Sequence, residues 1–193
     1  HPWSQGFPLT SKLENGPDFP AFSFRNERGR MYPKAWGEPE LRSLIASYYH
    51  RYYDVELSPE NVMIFGGGRP GIFALLSFLP SEVDVRIATT EYTPYWDILR
   101  CLGRKPELVE SGEEEKFLPS VESLRGTLAK PSMVVMSNPC NPTGMIREGE
   151  YLETLVRGAT GDQAILSDEA YEWFVSDRPV SALQYVENID ESN

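Results

Sequence analysis

Apolar residues recur along this chain at two different spacings, and the two alternate. Leu41, Leu44, Ile45, Tyr48, Tyr49 and Tyr52 fall three or four positions apart and predict a helix over 39–53. Glu38 and Glu40 stand at its start, where negative charge suits the unpaired N–H groups. A short apolar run at 62–65 then predicts a strand, followed by a glycine-rich turn at 66–71 and an apolar helix over 72–79. The same order repeats with strands at 83–89, 105–110, 133–137 and 163–166 and helices at 94–102, 121–128 and 148–157. Short apolar strands separated by helices need crossover connections. They therefore predict an α/β fold, a three-layer sandwich with a mostly parallel sheet covered on both faces. No internal sequence repeat accompanies the alternation.

Residues 1–30 show neither spacing. Pro2, Gly6, Pro8, Gly16, Pro17, Pro20 and Gly29 punctuate them, which predicts an arm or part of a small domain packing on a second domain or subunit. The expected division is 1–30 for this arm and 31–193 for the main domain.

Composition narrows the function classes. The net charge is −11, from 18 basic and 29 acidic residues, and no basic stripe is present. A nucleic-acid partner is therefore not expected, because phosphate backbones are held by basic footprints. No apolar run reaches membrane length, and none reads as a secretory signal. Cys101 and Cys140 form no disulfide framework and lack metal-ligand spacing, so no metal is expected and a reducing, cytoplasmic setting is.

In parallel sheets ligands collect beyond the carboxyl ends of the strands. Three groups of residues with chemical potential fall there. The first, Gly66-Gly67-Gly68-Arg69-Pro70-Gly71, matches G-x-G-x-x-G between a strand and a helix. One reading is a dinucleotide fingerprint, with Glu91, about twenty residues on, as the ribose acid. Another is a site for a different phosphorylated ligand. Both rest on the same physics: glycines admit close backbone approach, and the N–H groups opening a helix attract an anion. Arg69 adds a guanidinium suited to phosphate. No Gly-Lys-Ser/Thr follows, so it is not a Walker loop.

The second group is Asn138-Pro139-Cys140-Asn141-Pro142-Thr143-Gly144. Its two Asn-Pro pairs follow a buried strand and stiffen a turn that aims Asn141 into a cleft. The third is Asp168, Glu169 and Tyr171, where an acid at a buried strand end demands a partner. Asp168 suits a protonated heteroaromatic nitrogen, Tyr171 suits a phenolate oxygen, and Tyr92 suits stacking on a planar ring.

Together these residues resemble the fold-type I pyridoxal-phosphate enzymes, the class I/II aminotransferases related to aspartate aminotransferase. The resemblance extends from Gln5-Gly6-Phe7-Pro8 almost to the last residues. The strongest signatures are 138–144, matching NPxNPTG, and Asp168-Glu169-Ala170-Tyr171, matching DExY. Tyr32, Gly37, Leu41-Arg42 and Glu91-Tyr92-Thr93-Pro94-Tyr95 add weaker support. The resemblance implies pyridoxal 5'-phosphate as cofactor, with Asp168 on the pyridine nitrogen and Asn141 and Tyr171 on the ring's 3-oxygen. It implies Tyr92 on the ring face and Gly67, Gly68 and Arg69 around the phosphate. Gly6 and Asn141 would serve the substrate. Tyr32 would reach the partner subunit's cofactor phosphate, which makes the expected assembly a homodimer. The implied reaction moves an amino group between an amino acid and a 2-oxo acid.

Two departures qualify the resemblance. Arg69 and Pro70 stand where the family often carries hydroxyl or amide side chains. The family's Schiff-base lysine and its carboxylate-binding arginine are not matched by any residue here. The sheet is accordingly expected to be incomplete at its C-terminal side, and residues 1–193 alone are expected to lack transaminase activity. Related chemistry stays open: a β-lyase, decarboxylase or aminocyclopropane-carboxylate synthase type, or a non-catalytic binding protein of the same fold. An NAD-binding oxidoreductase is the remote alternative.

Overall fold

The computed structural model describes residues 32–127 and 130–191. Gly6, expected at the substrate, lies outside them. By its own contacts the chain divides into two units, His1–Pro33 and Lys34–Asn193, and the elements below all belong to the second.

In chain order these are α1 (Pro39–Tyr53), α2 (Gly68–Phe78), β1 (Asp84–Ala88), α3 (Pro94–Cys101), β2 (Glu107–Val109), α4 (Val121–Arg125), β3 (Ser132–Ser137), α5 (Gly149–Arg157) and β4 (Gln163–Asp168). The four strands form one sheet in the order β2-β1-β3-β4, and every pairing is parallel. The alternation of strand and helix predicted from the sequence is thus present as a layered α/β sandwich.

The layers follow from the period-two pattern of the strands. All six residues of β3 are buried. Met133 and Val135 face Ile72 and Leu76 of α2 and Tyr95 and Leu99 of α3. Val134 and Met136 face the other way, toward Leu124 of α4 and Leu152 and Leu155 of α5. A strand with helices on both sides has no polar face to offer, which is why this segment reads as an almost unbroken apolar run. Leu152 and Leu155 are fully buried, and each contributes about 1.5–3 kcal/mol by leaving water.

The structure departs from the sequence prediction in three places. Residues 62–65 do not form a strand. Ile64 N donates to Trp36 O at 3.0 Å, while Met63 and Phe65 stay exposed, so no ladder forms. A β-strand exists only through its partner, and none of β1 to β4 pairs with this segment. Gly37 permits the close approach: its φ is +102°, and a Cβ there would lie 2.3 Å from the Ile64 side chain.

The helix predicted over 121–128 ends at Arg125, because Gly126 takes a φ of +67° and breaks the winding. Arg86 completes that end, donating to Leu124 O at 2.7 Å and Ser123 O at 2.8 Å.

The third departure is α2, which begins at Gly68 rather than at 72; α1 spans the predicted 39–53, burying Arg42, Ala46 and Tyr53 and leaving Leu41 and Leu44 exposed. The polar member of that face is satisfied, since Arg42 donates to Val62 O at 2.8 Å and Glu60 at 3.0 Å. Among the described residues, no helix is long and apolar enough to cross a membrane.

Candidate active site

The carboxyl ends of β1, β3 and β4, together with the turn into α2, carry the residues that the sequence singled out. Gly67 is the N-cap of α2, with φ +120° and ψ +162°, and no side chain caps the helix. That backbone is open almost exclusively to glycine. Nothing lies within 4 Å of a Cβ placed at Gly66 or Gly68, so the turn that opens α2 leaves room for a ligand to approach its backbone. Arg69 is exposed and donates through Nε to the Tyr92 hydroxyl at 2.9 Å.

From Tyr92 a row of contacts runs to the end of β4. The Tyr92 ring meets that of Tyr95 edge-on, with centroids 5.4 Å apart. Tyr95 is fully buried, and its hydroxyl donates to Asp168 Oδ2 at 2.9 Å. Burial and the neighbouring Asp168 push the Tyr95 phenol well above its ordinary value, so it stays protonated and acts as a donor. Asp168 Oδ1 accepts from Ala170 N at 3.2 Å. The acid at the strand end therefore has the partners its position requires, one from α3 and one from its own turn.

Beside it, Ser137 pairs in register with Asp168, and Asn138 N donates to Asp168 O at 2.9 Å. This places the 138–144 loop against the DExY turn. Both Asn-Pro bonds of the loop, Asn138-Pro139 and Asn141-Pro142, are cis. Asn141 is half-buried, and its N–H donates to Ser137 Oγ at 2.9 Å. Tyr171 is half-buried and meets Phe174 edge-on at 5.6 Å. Its neighbour Glu172 accepts from the hydroxyls of Tyr48 and Tyr53, which ties this turn to α1. Glu169 accepts from Ser167 Oγ at 3.0 Å and Ala182 N at 2.8 Å, and burial pushes its carboxyl above the usual range.

The structure thus brings Arg69, Tyr92, Asn141 and Asp168 to one end of the sheet. Tyr32 belongs to the other unit and is exposed.

Glu91 is corrected. It is not a ribose acid facing a ligand but a fully buried group whose Oε1 pairs with Arg147 Nη2 at 2.8 Å. Its Oε2 accepts from Ser137 N at 3.0 Å and Ser137 Oγ at 2.6 Å. A carboxylate sealed inside the protein and paired there with a guanidinium does not face a ligand, which removes the basis of the dinucleotide reading.

Sequence reasoning assigned no role to Tyr95, Ser137 or Arg147. The one available signal was Glu91 itself, a charge directly after an apolar strand and in need of a partner. Arg147, 56 positions away, could not be chosen from spacing. Nor does the cleft along β4 mark the site. A cleft of about 640 Å³ runs beside β4, lined by Tyr49, Leu75, Ile165 and Ala182 among others, but includes neither Asn141 nor Asp168.

At the strand ends of this parallel sheet an uncapped glycine helix start, a tyrosine, an asparagine and a half-buried aspartate stand together, a layout suited to a phosphorylated planar ring. The chain belongs to the class I and II aminotransferases, whose family description matches residues 3–192. It is 33% identical over 172 residues to an aspartate aminotransferase of Sulfolobus acidocaldarius, covering 82% of this chain and 43% of that protein. It is 31% identical to an asparagine–oxo-acid transaminase of Streptococcus mutans, over 77% of this chain and 39% of that one. Among solved structures it resembles an aspartate aminotransferase from Thermus thermophilus with maleate, at a TM-score of 0.74 and 28% identity over 80% of this chain and 42% of that chain. An aromatic aminotransferase from Pyrococcus horikoshii gives a TM-score of 0.73 at 27% identity, over 84% of this chain and 44% of that chain. The chain spans less than half the length of these relatives.

Aminotransferases of this family depend on pyridoxal phosphate, and the site fits that group. The open, uncapped start of α2 suits a phosphate, and the carboxylate on β4 suits a ring nitrogen.

Proposed function

We propose that the full-length protein transfers an amino group between an amino acid and a 2-oxo acid, using pyridoxal 5'-phosphate. The observation that carries this reading is the shared end of β3 and β4, where the NPxNPTG loop lies against Asp168 through Asn138 N–H···O at 2.9 Å.

When bound, the cofactor supplies an electron sink for charge left on the substrate's α-carbon. Asp168 holds the proton on the ring nitrogen and keeps that sink effective. Tyr95 orients Asp168 and, being kept protonated, does not compete with it for that proton. Asn141 and Tyr171 serve the ring's 3-oxygen, and Tyr92 packs on the ring face. The N–H groups of Gly67 and Gly68 hold the phosphate, and Arg69 exchanges its bond with Tyr92 for one with the anion.

By the family resemblance, Gly6 would serve the substrate's carboxylate and Tyr32 the partner's cofactor phosphate in a homodimer. The free thiols of Cys101 and Cys140 support a reducing, cytoplasmic setting.

The test is a half-reaction with the full-length protein loaded with pyridoxal phosphate. Addition of aspartate, asparagine, alanine or an aromatic amino acid should bleach the cofactor's visible band and release the matching 2-oxo acid. A loaded protein whose spectrum responds to none of them would refute the reading.

A further inference from the structure

The fully buried Glu91–Arg147 pair is not explained by stability. Taking two charges out of water costs more than their attraction usually returns, and an apolar pair of similar volume generally packs as well or better. Arg147 Nε even lacks a hydrogen-bond partner among the described residues. What the pair does is surround one serine. Glu91 Oε2 accepts from Ser137 N at 3.0 Å and from its Oγ at 2.6 Å, while Arg147 Nη1 donates to Ser137 O at 2.8 Å. The backbone of Arg147 also exchanges two bonds with the Asn138 side chain, at 2.8 Å and 2.9 Å.

The polarity of this arrangement matters. A carboxylate paired with a guanidinium is an acceptor only, so the Ser137 hydroxyl must spend its single proton on Glu91. Its lone pairs are then left for the Asn141 N–H at 2.9 Å. The charge pair thereby decides which way the hydroxyl points, and the hydroxyl decides where Asn141 begins. Bonds linked in series in a low-dielectric interior also strengthen one another.

We infer that Glu91, Arg147 and Ser137 are positioning residues for Asn141, setting its amide against the 3-oxygen of the cofactor ring. This rests on the assignment of Asn141 in the proposed function.

Two variants of the full-length protein test it, each read by pyridoxal-phosphate affinity, by the absorption band of the bound cofactor and by thermal unfolding. Ser137→Ala removes one hydroxyl and keeps both charges. Glu91→Leu/Arg147→Met removes both charges together and leaves none unpaired. Each is expected to bind the cofactor about tenfold more weakly, the loss of about one hydrogen bond, and with a displaced band, while Ser137→Ala unfolds near the wild-type temperature. Adding Ser137→Ala to Asn141→Ala should bring little further loss, because the two act through one contact.

If Ser137→Ala keeps wild-type affinity and band, the inference is wrong and the pair serves folding alone. Should the double variant fail to fold, Ser137→Ala decides by itself. A wild-type protein that takes up no pyridoxal phosphate overturns the proposed function instead, a result separable from either variant.

Discussion

The two sides of the candidate site are built on opposite principles. On the β3 side, Glu91, Ser137, Asn138 and Arg147 are buried and joined by hydrogen bonds through main chain and side chain alike. On the α2 side, 66–70 is exposed, its helix start is uncapped, and Arg69 rests on a tyrosine hydroxyl. The first is complete before any ligand arrives. The second presents uncapped N–H groups and an exposed cation, the condition in which an anion is worth most. A planar ring needs atoms held to a fraction of an ångström, whereas a phosphate needs charge and open backbone. The two kinds of construction match those two demands.

Substitutions on the two sides should therefore behave differently. Arg147→Ala strands the Glu91 carboxylate in the interior and should cost about 3–5 kcal/mol of unfolding free energy, measured by denaturant titration. A loss below 1 kcal/mol would mean that the pair is not closed in solution. Gly67→Ala forces a Cβ onto a backbone with φ +120° and should cost roughly 1–3 kcal/mol. On the proposed reading it also weakens cofactor uptake, so the two losses can be followed separately by unfolding and by binding titration.

Tyr95→Phe deletes the phenol that donates to Asp168 and should cost roughly 1–1.5 kcal/mol. The accompanying readout is a change in the absorption of bound cofactor. The smallest effect on stability is expected from Arg69→Ala, within about 0.5 kcal/mol because the side chain is exposed. Pyridoxal-phosphate affinity should nevertheless fall about tenfold and lose part of its salt dependence. An Arg69→Ala protein as costly to fold as Arg147→Ala would erase the contrast between the two sides.

Much of this was legible in the residues alone. The alternation of apolar strands and amphipathic helices determines the parallel sandwich, because burial on one face or two writes a period into the chain. The glycine turn, the NPxNPTG loop and the DExY turn were legible for a related reason. Each is local chemistry, in which a few adjacent residues set backbone shape and donors without help from afar. Tertiary structure decided what depends on partners distant in sequence. Residues 62–65 have strand-like composition but find no strand partner among the described residues, so they stay outside the four-stranded sheet. Tyr95, given no role from the sequence, donates a hydrogen bond to Asp168, 73 positions on. Glu91 read from its spacing as a ligand-facing acid and proved to be one half of a buried ion pair. Its charge, its residue type and its place after a strand are the same in both cases. Only the fold, by bringing Arg147 to within 2.8 Å, determines which of the two it is.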